Sequence, residues 1–233
     1  MNNVPVRRAY FITGTDTDVG KTLVSRLLLL AASAAGYDTA GMKPLAAGGH
    51  QTPDGLRNED ALHLQASATR KLPYAQTNPV CLPDAVSPHL AAQAAGRRVN
   101  AERLAGYCQG FLMQRAAFTL IEGAGGWRVP INDREFISDV VLSLKLPVIL
   151  VVGMRLGCLN HALLTAEAIH RDGLTLAGWV ANTLDPDMPM REGNVATLVD
   201  ALGAPLLADV PWLQNTTDLS AHTGLVKLDL LGL

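Results

Sequence analysis

Cysteine is scarce in this chain: Cys81, Cys108 and Cys158 are the only three in 233 residues, and no two form a C-x-x-C pair. An odd, widely spaced set argues against a disulfide framework or structural zinc and suits a reducing compartment. Charge of one sign is also lacking. The formal net charge is −2, which leaves no electrostatic footprint for nucleic acid or an anionic membrane. Long hydrophobic runs are missing: Leu27–Ala32 and Leu146–Gly153 are the longest, well short of the roughly 20 residues a membrane span needs. The first eight residues lead straight toward an apolar strand, without the core and cleavage site of a signal peptide. No internal repeat, low-complexity segment or linker interrupts the chain. What is present is 48% hydrophobic and 17% charged residues, enough to bury a real core. The expectation is one cytoplasmic domain over residues 1–233, with neither nucleic acid nor membrane as a partner.

Apolar strand-like runs alternate with helix-like stretches. Ala9–Thr13, Thr39–Lys43, Phe118–Glu122, Pro147–Gly153, Leu176–Asn182 and Pro205–Asp209 read as strands; Lys21–Ala35, Ser138–Lys145, Asn160–Asp172 and Glu192–Leu202 read as helices. The strands are apolar throughout rather than alternating, which implies burial on both faces and hence an α/β fold with a mostly parallel sheet covered by helices. From about Ala46 to Gly96 the chain is richer in Gly, Pro, Asn, Gln and His, with "NEDALHL" and "SPHLAAQAAG" as helical pieces. Ser87-Pro88 suits a cap and first-turn proline. This excursion is expected on the carboxyl edge of the sheet, where open α/β folds bind ligands.

"GTDTDVGKT", residues 14–22, follows the first apolar run. A strand, a glycine-bracketed turn and a helix opening with Lys-Thr form a phosphate loop. Backbone N–H groups and the helix N-terminus face the phosphates, the lysine neutralises charge, and the hydroxyl ligates Mg²⁺. Gly14 and Gly20 bracket the loop, Lys21 is the phosphate lysine and Thr22 the metal-ligating hydroxyl. Five residues separate the glycines where the common pattern has four, so the chain falls in a divergent branch of the P-loop NTPase-like class. A plain strand-to-helix turn would have no need of Lys-Thr there.

A magnesium–triphosphate site also needs carboxylates at strand ends. "FTLIEGAGGW" supplies Glu122 after an apolar strand, followed by glycines that let backbone approach a ligand; otherwise it is a solvated loop acid. "RNEDALHL" offers Glu59 and Asp60 at a helix start, where acids also serve simply as dipole complements. Thr22, Asp60 and Glu122 form a coherent set of hard oxygen ligands.

With "GTDTDVGKT", "AGMKPLAAG", "GLRNEDALHL", "EGAGGW", "LPVILVVGMRLGCLNHALLT", "LAGWVAN" and "PWL" in this order, the chain closely resembles the dethiobiotin synthetases, ATP-dependent ligases of biotin synthesis. The likeness runs from Tyr10 to about Leu213. It implies the substrates 7,8-diaminononanoate, CO₂ or bicarbonate, and MgATP, with dethiobiotin, ADP and phosphate as products. One amine captures CO₂ as a carbamate, the carbamate attacks the γ-phosphorus, and the second amine closes a cyclic urea from the carbamic–phosphoric anhydride. It further implies a homodimer with the substrate site at the subunit interface.

By the same resemblance Lys43, Lys21 and Thr17 are catalytic, with Lys43 bridging carbamate and γ-phosphate; without it, Lys43 would read as an exposed strand-end lysine. Nucleotide contacts fall to Asp18, Val19, Gly20, Lys21, Thr22, Leu23, Asp60, Glu122, Gly123, Ala124, Gly125, Asn182, Thr183, Pro211, Trp212 and Leu213. Asn182 reads the polar edge of adenine and the Pro211–Leu213 segment lines the base, although Trp212 alone could equally be a core aromatic. Thr22, Asp60 and Glu122 match metal ligands. Thr17, Lys43, Ala47, Leu156, Gly157, Cys158, Leu159 and Asn160 match substrate positions, the last five coming from the second subunit to hold the distant carboxylate. Cys158 acts there through backbone and packing, since nothing near it in sequence supplies an activating base. His63, His89 and His161 read as helix-terminal histidines. One departure stands out: Ala47 occupies a position where the family commonly has a substrate-contacting serine, so substrate binding is expected to be rearranged while the reaction is unchanged.

Two other readings compete. A switch ATPase of the partitioning or septum-site kind shares this loop class, but such proteins carry an additional early lysine where Thr15 and Asp16 stand. A cobyrinate-type amide synthetase would append a glutaminase domain for which the chain has no room.

Overall fold

The computed structural model describes residues 8–233; the signal-peptide reading of residues 1–7 lies outside them. The chain runs β1 (Arg8–Gly14), α1 (Lys21–Ala34), β2 (Thr39–Met42), β3 (Leu45–Ala46), β4 (His50–Thr52), β5 (Gly55–Arg57), α2 (Glu59–Ser67), α3 (Tyr74–Thr77), β6 (Val80–Cys81), α4 (Pro88–Ala94) and α5 (Ala101–Leu112). It continues through β7 (Phe118–Glu122), α6 (Ile137–Leu144), β8 (Val148–Met154), α7 (Cys158–Arg171), β9 (Leu176–Thr183), α8 (Arg191–Ala201) and β10 (Leu206–Val210), and closes with 3₁₀ turns at Ser220–Leu225 and Leu228–Leu231.

Six strands form one sheet in the order β10-β9-β8-β1-β7-β2, and every pairing in it is parallel. β7 and β8 are buried at every position, as strands covered on both faces must be. Successive side chains point to opposite faces. Phe11, Ile121, Leu150 and Val152 enter a core shared with α5, α6, α7 and α8. Tyr10, Ile12, Leu120 and Val151 enter a second core with α1 and the C-terminal turns. Among the described residues no helix is long and apolar enough to cross a membrane.

Because all six strands run one way, their carboxyl ends share one edge. β1 leads through α1 to β2 beyond β7, while β8 lies on the other side of β1. The crevice at such a reversal is where open α/β sheets bind ligands, and Gly14, Lys43 and Glu122 all emerge there. The expected strands appear with ends shifted by at most one residue. Two helices are not anticipated from sequence: the single turn α3, and α5, capped by the Asn100 side chain accepting from the Arg103 N–H, with Leu104, Ala105, Cys108 and Phe111 buried. The excursion resolves into the β4–β5 hairpin, the short β3–β6 parallel pair, and helices α2, α3 and α4. All three cysteines are buried and unpaired, and burial pushes the Cys108 thiol up to about 12.

Candidate active site

The loop between β1 and α1 closes around its lysine. Lys21 Nζ donates to the Asp16 carbonyl at 3.0 Å. A Cβ on Gly14 would stand 2.5 Å from Val19 Cγ2 and 3.2 Å from Lys21 Nζ, so only glycine fits. Gly20 has φ +86 and lies directly against the Asn182 amide, a second position that excludes a side chain. The helix then opens with its N–H groups facing the crevice.

Lys43 follows β2 and is only 4% exposed. Its ammonium contacts Asp60 Oδ2 and Glu122 Oε1 at 2.7 Å each and lies 3.5 Å from the Gly123 carbonyl. Thr22 Oγ1 donates to the same Glu122 oxygen at 2.8 Å. Burial works against the charged form of Lys43, but the Glu122 and Asp60 carboxylates outweigh it and hold its pKa above the ordinary lysine value. Burial alone would raise Asp60, yet Lys43 pulls it below the usual carboxylate range. Lys21 goes the other way: burial, then the charge of Lys43, lower it to about 8. A phosphate beside Lys21 would offset both effects and favour its charged form, as a nearby anion does.

Asp60 is therefore more than a dipole complement, whereas its neighbour Glu59 faces solvent. Asn58 caps α2 through the Ala61 N–H and donates to the Ala47 carbonyl at 3.2 Å, tying the Ala47 turn to the helix that presents Asp60. Among the described residues no three His, Cys, Asp or Glu side chains cluster as a metal cage. Two carboxylates and a hydroxyl are nonetheless what Mg²⁺ takes when phosphate and water supply the rest. Glu122 Oε2 is buried with no hydrogen-bond partner, an orphaned hard oxygen that fits such an ion.

Lys21, Thr22, Lys43 and Asp60 line a cleft of about 750 Å³ together with Thr17, Asp18, Gly20, Ala47, Ala124 and Gly125, whereas Glu122 is fully buried and does not line it. Its remaining wall is apolar, from Ala85, Val86, Pro88 and Val129, with Ser87 between. The sequence marks Ser87-Pro88 as a helix start but assigns none of these wall residues to the ligand. A signal existed in the excursion's expected place on the carboxyl edge, but nothing marked which part would face the ligand.

Other expected positions lie outside the cleft. Val19 is buried, and Leu23 packs partly into the α1 core, so both offer backbone only. Asn182 Nδ2 donates to the Val19 carbonyl at 2.9 Å, leaving its oxygen and a second N–H for a base. The Thr183 hydroxyl is consumed by the Val210 carbonyl and Arg191. Trp212 is 49% exposed, so it is not a core aromatic. Leu156 is 94% exposed and Gly157 caps α7 with φ +94. The Leu156–Asn160 segment does not line the cleft of its own chain.

A parallel sheet with a lysine-bearing phosphate loop at its reversal point defines a P-loop nucleotide-binding protein. The comparisons narrow this. A family model described as an AAA domain matches residues 8–220. The chain is 55% identical to the ATP-dependent dethiobiotin synthetase BioD of Cellvibrio japonicus over 95% of its length and 98% of that protein. It is 56% identical to BioD of Marinobacter nauticus, with 90% of each covered, and 47% identical to BioD 1 of Escherichia coli O157:H7, covering 96% and 99%. The chain belongs to the ATP-dependent dethiobiotin synthetase family. Among solved structures it is similar to the MinC:MinD cell division protein complex of Aquifex aeolicus, with TM-score 0.54, 16% identity, and 93% and 86% coverage. It is also similar to chloroplast FtsY of Physcomitrella patens, with TM-score 0.51, 19% identity, and 97% and 65% coverage. At these identities the likeness is one of fold.

Proposed function

We propose that this member of an ATP-using ligase family closes the ureido ring of dethiobiotin from 7,8-diaminononanoate, CO₂ and ATP, through a carbamate and a carbamic–phosphoric anhydride. The observation that carries the reading is Lys43, held buried and charged between Asp60 and Glu122 beside the phosphate loop. Carbamate and triphosphate are both anions, and only a fixed cation between them lets one attack the other.

The first amine adds to CO₂ and loses a proton, giving the carbamate. Thr17, on the cleft wall, orients it by a hydrogen bond. Lys21 and the loop N–H groups hold the β- and γ-phosphates, and Lys43 spans the gap to the carbamate. A carbamate oxygen attacks the γ-phosphorus as the bond to ADP breaks. The second amine then attacks the carbonyl carbon, the ring closes, and phosphate leaves with the amine proton released. Thr22, Asp60 and Glu122 would hold Mg²⁺, which supplies further neutralisation of phosphate charge. Asn182 and Trp212 serve the base. With Ala47 lacking a hydroxyl, the apolar wall of Ala85, Val86 and Val129 fits a methylene chain.

Purified protein given MgATP, bicarbonate and the diamine is expected to release phosphate in step with ring closure, measured by coupled phosphate assay and mass spectrometry of the product. Equal ATP hydrolysis without diamine would favour a switch ATPase.

The exposed start of α7 supports a homodimer in which Leu156–Asn160 of one subunit hold the substrate carboxylate at the site of the other. A Lys43→Gln chain mixed with an Asn160→Asp chain, each inactive alone, is then expected to recover turnover after subunit exchange. No recovery in a demonstrated mixed dimer would place each site within one chain.

A further inference from the structure

The C-terminal end of α7 carries a carboxylate where helix electrostatics disfavours one. Asp172 is the C-cap residue of that helix, next to the partial negative charge of its last carbonyls, and its side chain is only 12% exposed. Two donors from a single loop offset that cost. Trp127 Nε1 donates to Asp172 Oδ2 at 2.8 Å, and Arg128 Nη2 reaches Asp172 Oδ1 at 2.6 Å. Arg128 also donates through Nη1 to the buried Ser138 hydroxyl at 3.1 Å, and so bridges the end of α7 to the start of α6. The Trp127 ring is buried edge-on against Phe11 of β1.

This loop is the one that leaves Glu122 and folds over the phosphate loop. A Cβ on Gly125 would lie 2.8 Å from Val129 Cγ2 and 3.5 Å from Thr17 Oγ1, and one on Gly126 would lie 3.4 Å from the Gly14 carbonyl. Gly125 and Val129 line the cleft. Its glycines give the segment between Glu122 and Trp127 little stiffness of its own, so its path depends on where its far end is tied.

We propose that Asp172 is a positioning residue. By holding Trp127 and Arg128 together, it sets the glycine loop against Thr17 and fixes the cleft wall at the substrate end. This rests on the ring-closing reading above. Asp172 touches neither Lys21, Thr22 nor Asn182, and the loop it ties meets Thr17 at Gly125, so its removal loosens the diamine end of the cleft more than the hold on the nucleotide. Misplacement of about 1 Å at a reacting centre costs up to about 10²-fold.

The test uses the full chain with Asp172→Ala, Asp172→Asn, Arg128→Ala, and the Arg128→Ala/Asp172→Ala pair. Asp172→Ala is expected to lower kcat/KM for the diamine by roughly 10- to 100-fold while MgATP affinity changes by less than about threefold. Asp172→Asn keeps an acceptor for the indole but loses the ion pair, and should recover part of the loss. The double variant should fall short of the product of the single effects, because both act through one contact. Trp127 emission should change in Asp172→Ala. A lower Tm with the diamine kcat/KM unchanged would overturn the proposal, as would equal losses in ATP and diamine binding. Should Asp172→Ala not fold, Arg128→Ala decides, its side chain being 43% exposed. Wild-type protein without diamine-dependent turnover would instead mean that the ring-closing reading itself fails.

Discussion

Lys43→Gln is expected to reduce ring closure by about 10²- to 10³-fold, the scale set by removing one preorganised charge-stabilising donor. Nucleotide binding should hold within a few-fold, because the phosphate loop, Lys21 and Asn182 are untouched. The glutamine amide fits the space but brings no charge to the gap between two anions. Lys43→Arg should not rescue, since a planar guanidinium cannot replace a compact ammonium between two carboxylates at 2.7 Å each. Calorimetric titration with MgATP and a phosphate-release assay check both halves. Retained turnover in Lys43→Gln would remove this lysine from the mechanism.

Glu122→Ala should affect both activity and stability. Glu122 is fully buried and accepts from Lys43 and Thr22 through one oxygen. Its removal leaves a buried ammonium facing only the partly exposed Asp60. Stripping one partner from a buried pair costs about 3–5 kcal/mol, which in a chain of this size lowers Tm by roughly 10 °C. Turnover should fall below detection, because a carboxylate of the proposed metal set is lost with it. Glu122→Gln, which keeps an acceptor and the volume, should recover much of the Tm and little of the activity. That split separates the structural role of the side chain from its charge. A Glu122→Ala protein that melts and turns over like wild type would contradict the site.

The burial of Glu122 also marks how far the sequence could be read. β7 appears with the expected bounds because a run of apolar residues between polar ones signals a doubly covered strand on its own. The helix at Ala101–Leu112 was not legible: Gly106 and Gly110 interrupt its pattern and each costs about 1 kcal/mol of helix propensity. It forms because Leu104, Cys108 and Phe111 enter the core, a tertiary gain that outweighs the local cost. Trp212 could be core or base-lining from sequence, and its exposure removes the core reading. Asp172 gave no signal at all, since an acid before a glycine at a helix end looks like an ordinary turn.

Strand, glycine turn and Lys-Thr helix start are contiguous, and their meaning depends only on neighbours within ten residues. Local backbone geometry is enough to make a phosphate cradle of residues 14–22, so the sequence alone determined that site. The company of Lys43 was decided elsewhere. Asp60 comes from α2 and Glu122 from the end of β7, 17 and 79 residues away along the chain. Only the placement of β7 between β1 and β2 brings all three to one point. The same packing keeps water from Lys43 and Glu122, so a strand-end lysine becomes a buried, fixed cation through tertiary structure.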